Sequence, residues 1–155
     1  MVALCTLLSI SRVEAQTISL GERTPRVKKA VWLDEQKPVK LGFTYVEFIH
    51  SASPTCRNTA SRIYQIVSSL GNMTFVLVSH QTAEELDPWV KTYVGPYAGV
   101  VVADNRIRNS YGVNYAPYAV ILDSKRRALW FGNPQLLDRE MIENLTRNEK
   151  RRTKK

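Results

Sequence analysis

Thr44-Tyr45-Val46-Glu47-Phe48-Ile49-His50-Ser51-Ala52-Ser53-Pro54-Thr55-Cys56-Arg57 is the stretch that decides the fold. Thr44 to Ile49 is β-branched and aromatic apart from Glu47, which predicts a buried strand. Ser53 then offers a helix N-cap, and Pro54 suits the first helical position, where its missing N–H does no harm. Ile63, Ile66, Val67 and Leu70 recur at helical spacing, and Gly71 ends the run. Thr74 to Ser79 reads as a second buried strand, so the stretch opens a strand–helix–strand unit.

The rest of the chain is read outward from that unit. Upstream, Thr17 to Lys29 is polar and irregular. Val31 to Leu33 and Pro38 to Leu41 flank a turn-like Asp34-Glu35-Gln36-Lys37 and predict a short N-terminal hairpin. Downstream, Thr82 and Glu85 form a capping box for a helix through about Tyr93, which Gly95-Pro96-Tyr97 breaks. Val100 to Ala103 is a short strand, and Asn105 to Tyr111 a helical turn. Ala119 to Leu122 and Ala128 to Phe131 are strands joined by Asp123-Ser124-Lys125-Arg126-Arg127. Asp138 caps a last helix that turns Met141, Ile142 and Leu145 inward. The implied architecture is α/β: one mixed central sheet with helices on both faces.

That order resembles the thioredoxin fold. Leu20-Gly21-Glu22-Arg23-Thr24-Pro25, Trp32-Leu33 and Pro38-Val39-Lys40-Leu41 resemble the entry segment of the TlpA- and ResA-type thiol–disulfide oxidoreductases. Tyr45-Val46-Glu47-Phe48 resembles their central strand. Tyr111-Gly112-Val113, Ala116-Pro117-Tyr118 and Val120-Ile121-Leu122-Asp123 resemble the segment around their cis-proline. Gly132 falls where a glycine closes their last hairpin. The resemblance runs from about Leu20 to Thr146.

The resemblance implies a site, and the sequence departs from it. His50-Ser51-Ala52-Ser53-Pro54-Thr55-Cys56-Arg57 lies where the family carries a tryptophan followed by Cys-Pro-x-Cys-Arg. Ser53 replaces the first redox cysteine and Ala52 the tryptophan, so only Cys56 remains. A dithiol cycle needs a second thiolate to expel the mixed disulfide, and this chain cannot run it alone. A helix N-terminus favours a thiolate at Cys56, with Arg57 adding a nearby cation, whereas burial opposes the charged sulfur. Glu47 matches the position of the buried acid that takes a proton from the family's second cysteine. Strict alternation would instead turn Glu47 to solvent. Pro117 stands where the cis-proline faces the redox motif, and there the backbone of Ala116 can pair with an extended peptide, rimmed by Tyr115 and Tyr118. A Cys56–His50–His80 metal site lacks any compact ligand spacing, and neither a metal nor a cofactor is expected.

Composition bounds these readings. The 155 residues suit one domain, and 44% hydrophobic residues can build a core. The net charge is +8, but Arg147, Lys150, Arg151, Arg152, Lys154 and Lys155 supply much of it, which predicts a solvated, disordered tail over 147–155. Zinc-finger spacing, RNP-like aromatics and helix–turn–helix signals are missing, so specific nucleic-acid binding is not expected. A weak attraction of the tail to an anionic membrane is the lesser reading. Residues 1–15 read as a secretory signal, with the apolar run Val2 to Ile10 and with Val13 and Ala15 before a cleavage point at Gln16. The domain then spans 16–146, in a periplasmic or other extracytoplasmic setting, with Cys56 its one thiol.

Three functions follow. The first is single-thiol disulfide chemistry at Ser53-x-x-Cys56 with a thiol- or disulfide-containing protein or a small thiol. The second is a peroxiredoxin-like peroxidase, because Ser53-Pro54-Thr55-Cys56 matches the Thr/Ser-x-x-Cys pattern, although Ile49 stands where that pattern has proline. The third is a non-enzymatic binding module. Composition leaves the oligomeric state open.

Overall fold

The computed structural model describes residues 18–26 and 29–154. The leader expected over 1–15 lies outside them. Six strands form one sheet: β1 (Val31–Trp32), β2 (Phe43–Phe48), β3 (Met73–Val78), β4 (Ala98–Val102), β5 (Tyr118–Asp123) and β6 (Ala128–Gly132), in the order β1-β4-β3-β2-β5-β6. β2, β3 and β4 are parallel, and β1, β5 and β6 run against their neighbours. The sheet is therefore mixed, as a strand–helix–strand unit followed by a hairpin predicts.

Helix α1 (Pro54–Leu70) crosses from β2 to β3. Gly71 closes it at φ 67°, the left-handed conformation that glycine adopts without strain. Three shorter helices follow: α2 (Pro88–Lys91), α3 (Asn105–Ser110) and α4 (Arg139–Arg152). Ile63 and Val67 of α1, Val90 of α2 and Ile142 of α4 pack on one face of the sheet with Tyr45, Phe75 and Leu77. Ile107 of α3 and Ile18 of the entry segment cover the other face with Val46, Phe48 and Val120.

Three local expectations fail, each for a physical reason. The N-terminal hairpin does not form. Val31 and Trp32 pair with Val102 and Val101 instead, because β4 offers an open edge. On the other limb, Pro38 has no N–H to donate, and the Val39 N–H goes to the Pro96 carbonyl at 2.8 Å. The helix expected from Thr82 to Tyr93 is broken. Half of its capping box forms, the Thr82 N–H donating to Glu85 Oε2 at 2.8 Å, but the Glu85 N–H goes to the Thr82 carbonyl at 3.1 Å and residues 83–85 make only a turn. Pro88 then forces Asp87 into extended backbone, at φ −62° and ψ 147°, and α2 starts afresh. The basic segment from 147 is helical as far as Arg152, because Thr146 and Glu149 are buried and Glu149 pairs with Arg127 at 2.7 Å.

Candidate active site

The first turn of α1 presents Ser53 and Cys56. The Cys56 N–H donates to Ser53 Oγ at 3.3 Å, so Ser53 is the N-cap and satisfies one of the helix's free donors. Pro54 follows at the first position. The turn faces Cys56 inward, where its free thiol is 0% exposed among Tyr45, Ile49 and Ala60. Arg57 points to solvent.

Glu47 lies on the same side of the sheet. Alternation along β2 sends Val46 and Phe48 to the far face and leaves Tyr45, Glu47 and Ile49 under α1. Glu47 is 0% exposed, so the solvent-facing alternative fails. Tyr45 Oη donates to Glu47 Oε2 at 2.7 Å, and Thr59 Oγ1 donates to Glu47 Oε1 at 2.5 Å. Burial raises the carboxyl from 4.5 to about 7, while these two hydroxyls hold it lower than burial alone would. Thr59 also lies 3.1 Å from the carbonyls of Thr55 and Cys56. Its single hydroxyl proton serves Glu47 when that acid is ionised and a carbonyl when the acid is protonated. The carboxyl is thus wired through one hydroxyl to the backbone of the turn that holds the thiol.

Thr59 also borders an open cleft of about 270 Å3, shared with Thr55, Asn58, Arg62 and Gln135. Arg62 spans it, donating to the carbonyls of Leu137 at 2.6 Å and Pro134 at 2.8 Å.

The 50–53 turn is held from below by a network absent from the sequence reading. Gln81 is buried. Its Oε1 accepts from the Ser51 N–H at 2.8 Å and from Ser79 Oγ at 3.2 Å, and its Nε2 donates to Ser51 Oγ at 3.0 Å. Trp89 Nε1 donates to the Ser51 carbonyl at 2.8 Å. A glutamine just after an apolar strand was the one available signal. The family pattern has a tryptophan at Ala52, whereas here Trp89 reaches the turn from α2.

The opposite wall comes from β5. Phe48 pairs with Tyr118, which sets residues 115–117 beside the end of β2. The Ala116–Pro117 peptide bond is cis. Tyr115 and Ala116 are exposed and Pro117 is buried. Tyr115 and Tyr118 meet edge to face with ring centres 5.4 Å apart. His50 and His80 stand exposed with ring centres 5.5 Å apart, and burial lowers the His80 pKa, with Arg108 and His50 adding to the effect. Cys56 turns away from them into the core. Among the described residues no cluster of three His, Cys, Asp or Glu side chains could hold a metal.

No protein-family model matches this sequence, and no curated protein matches it. Solved structures do. The thioredoxin domain of a thiol-disulfide oxidoreductase from Bacteroides vulgatus superposes with a TM-score of 0.65 at 15% identity, over 82% of this chain and 97% of that one. A thio-disulfide isomerase from Thermus thermophilus gives 0.60 at 18% identity, over 82% and 94%. A secreted Mycobacterium tuberculosis disulfide oxidoreductase gives 0.53 at 19% identity, over 68% and 81%. At such identities the likeness concerns the backbone, and on that ground the chain has the thioredoxin fold.

Proposed function

We propose that this is an extracytoplasmic protein of thiol–disulfide chemistry that works through one sulfur, Cys56. Its partner is a protein disulfide or a small thiol. Glu47 takes the Cys56 proton, and the thiolate attacks one sulfur of the partner's disulfide. That S–S bond breaks, a mixed disulfide forms on Cys56, and the departing thiolate regains a proton from Glu47. An external thiol then gives its proton to Glu47 and attacks the partner's sulfur of the mixed disulfide. The S–S bond to Cys56 breaks, the external thiol leaves joined to the partner's sulfur as the new disulfide, and Cys56 is released as the thiolate. Ser53 replaces the leaving sulfur of a dithiol site and acts as cap and hydroxyl donor. Ala116 and Pro117, with Tyr115 and Tyr118, form the edge along which an extended partner lies. Because Cys56 is covered, reaction requires the 50–53 turn to lift.

The buried Glu47 carries this reading. An acid with a pKa near 7, joined through Thr59 to the turn of the thiol, is poised to exchange a proton at neutral pH. The leader expected over 1–15 would direct export, and one neighbour in structure is a secreted oxidoreductase. The full burial of Cys56 favours a second reading, a binding module in which the sulfur only packs. Replacing Ser53 separates the two. Ser53→Cys is expected to reduce insulin disulfides above background, because the rest of the site is retained. A folded Ser53→Cys protein that stays at background contradicts a preserved redox site.

A further inference from the structure

The end of the sheet remote from Cys56 gathers most of the excess positive charge, and we infer that it is a docking surface for an anionic lipid membrane. β5 runs against β2, with Tyr118 opposite Phe48 and Asp123 opposite Phe43. The turn after Asp123 therefore lies at the opposite pole from Cys56 and Pro117. Three segments distant in sequence meet there. The Thr24 N–H donates to the Arg126 carbonyl at 2.9 Å, and Arg23 bridges to Arg127. Arg127 Nη2 donates to Glu149 Oε1 at 2.7 Å, which brings in the end of α4. Residues 22–26, 123–127 and 147–154 hold ten Arg and Lys against three Asp and Glu, a surplus of seven in a chain of net charge +8.

Among the described residues, every ion pair within these segments belongs to Arg127, whose guanidinium takes both Asp123 and Glu149. Lys125, Lys150, Arg151, Arg152 and Lys154 face water beyond it. The helical end of α4 fixes part of this charge in place, unlike a disordered tail. The three segments contain no aromatic residue to serve as a stacking platform for nucleobases. Leu20 instead stands 64% exposed at its border, where the Gly21 N–H holds the strap to the Ala128 carbonyl at 2.8 Å. A basic cluster with an exposed apolar side chain suits the headgroup boundary of an anionic bilayer. Docking by this pole leaves the Cys56 end turned to the aqueous side.

Co-sedimentation of the full chain with vesicles tests the inference. The probes are phosphatidylcholine alone and phosphatidylcholine mixed with an equal part of phosphatidylglycerol. The protein is expected on the mixed vesicles and not on the neutral ones, which also separates this pole from any binding by the apolar run Val2 to Ile10. Each basic group at the surface strengthens partition about fivefold, so Lys125→Glu with Arg151→Glu and Lys154→Glu is expected to weaken it more than about a hundredfold. Raising the salt on the unaltered protein must release it too, which holds even where the triple variant fails to fold. Equal partition to both vesicles, or salt-insensitive binding, overturns the inference. So does tight binding to duplex DNA by a protein that ignores the mixed vesicles.

Discussion

Glu47 is where burial and charge conflict most directly. Its folded carboxyl titrates at about 7, against 4.5 in an open chain. Between those values the folded protein keeps a proton that the unfolded chain has released. Stability from this group therefore falls as pH rises from about 4.5 to about 7, and is level above that. The shift corresponds to something on the order of 3 kcal/mol. Glu47→Gln removes the titration. We expect urea denaturation to show the variant gaining stability over the wild type from pH 5 to pH 8; equal pH dependence in the two proteins contradicts the buried-acid account. The burial of Glu47 was legible only through the resemblance to a buried acid beside the second cysteine, because alternation with Val46 and Phe48 pointed it to solvent. Its bond to Thr59 was not, because a threonine within a helix gives no sign of which strand it meets.

At the scale of elements, α1 and the turn before it form one device. The cap, the proline and the glycine stop are local signals, so the helix was readable to within a residue at both ends. The support beneath the turn is not local. Gln81 lies 30 residues from Ser51 and Trp89 lies 38 from it, and only the parallel pairing of β2 with β3 brings these groups together. The same dependence on distant pairing misled the reading of the N-terminal hairpin, whose first limb found β4. Gln81→Ala leaves the Ser51 N–H and Oγ without their buried partner, while Ser79 Oγ keeps the backbone N–H of residue 81 at 3.1 Å, and is expected to destabilise the fold by about 1–3 kcal/mol. Its local effect matters more. Hydrogen exchange at Ser51 should rise at least as much as global stability falls, since the turn loses its anchor; unchanged protection there argues that the turn is held by other contacts.

Over the whole molecule, the mixed sheet was inferable from a strand–helix–strand unit followed by a hairpin, whereas the order of its strands and its edges were not. Gly99 shows why. A Cβ there would come within 2.6 Å of Pro38 and 2.9 Å of Trp32, the two residues that cross the outer end of the sheet. Nothing in the sequence of β4 announces that approach. Gly99→Ala is expected to cost about 1–3 kcal/mol in denaturant unfolding by displacing the entry segment. A loss near zero would mean that this segment yields freely. The charged end of α4 was misread for a related reason: a run of Arg and Lys looks solvated until Glu149 is seen to face Arg127. Single-thiol chemistry at Cys56 requires that the covered thiol be reached by local opening and not only when the entire domain unfolds. Alkylation of Cys56 by iodoacetamide in the native protein at pH 7, compared with the rate of global unfolding, decides this. Native-state reaction faster than global unfolding is expected, with slower reaction in Glu47→Gln. Reaction that tracks global unfolding, with no effect of Glu47, contradicts that chemistry and leaves the sulfur as a packing group.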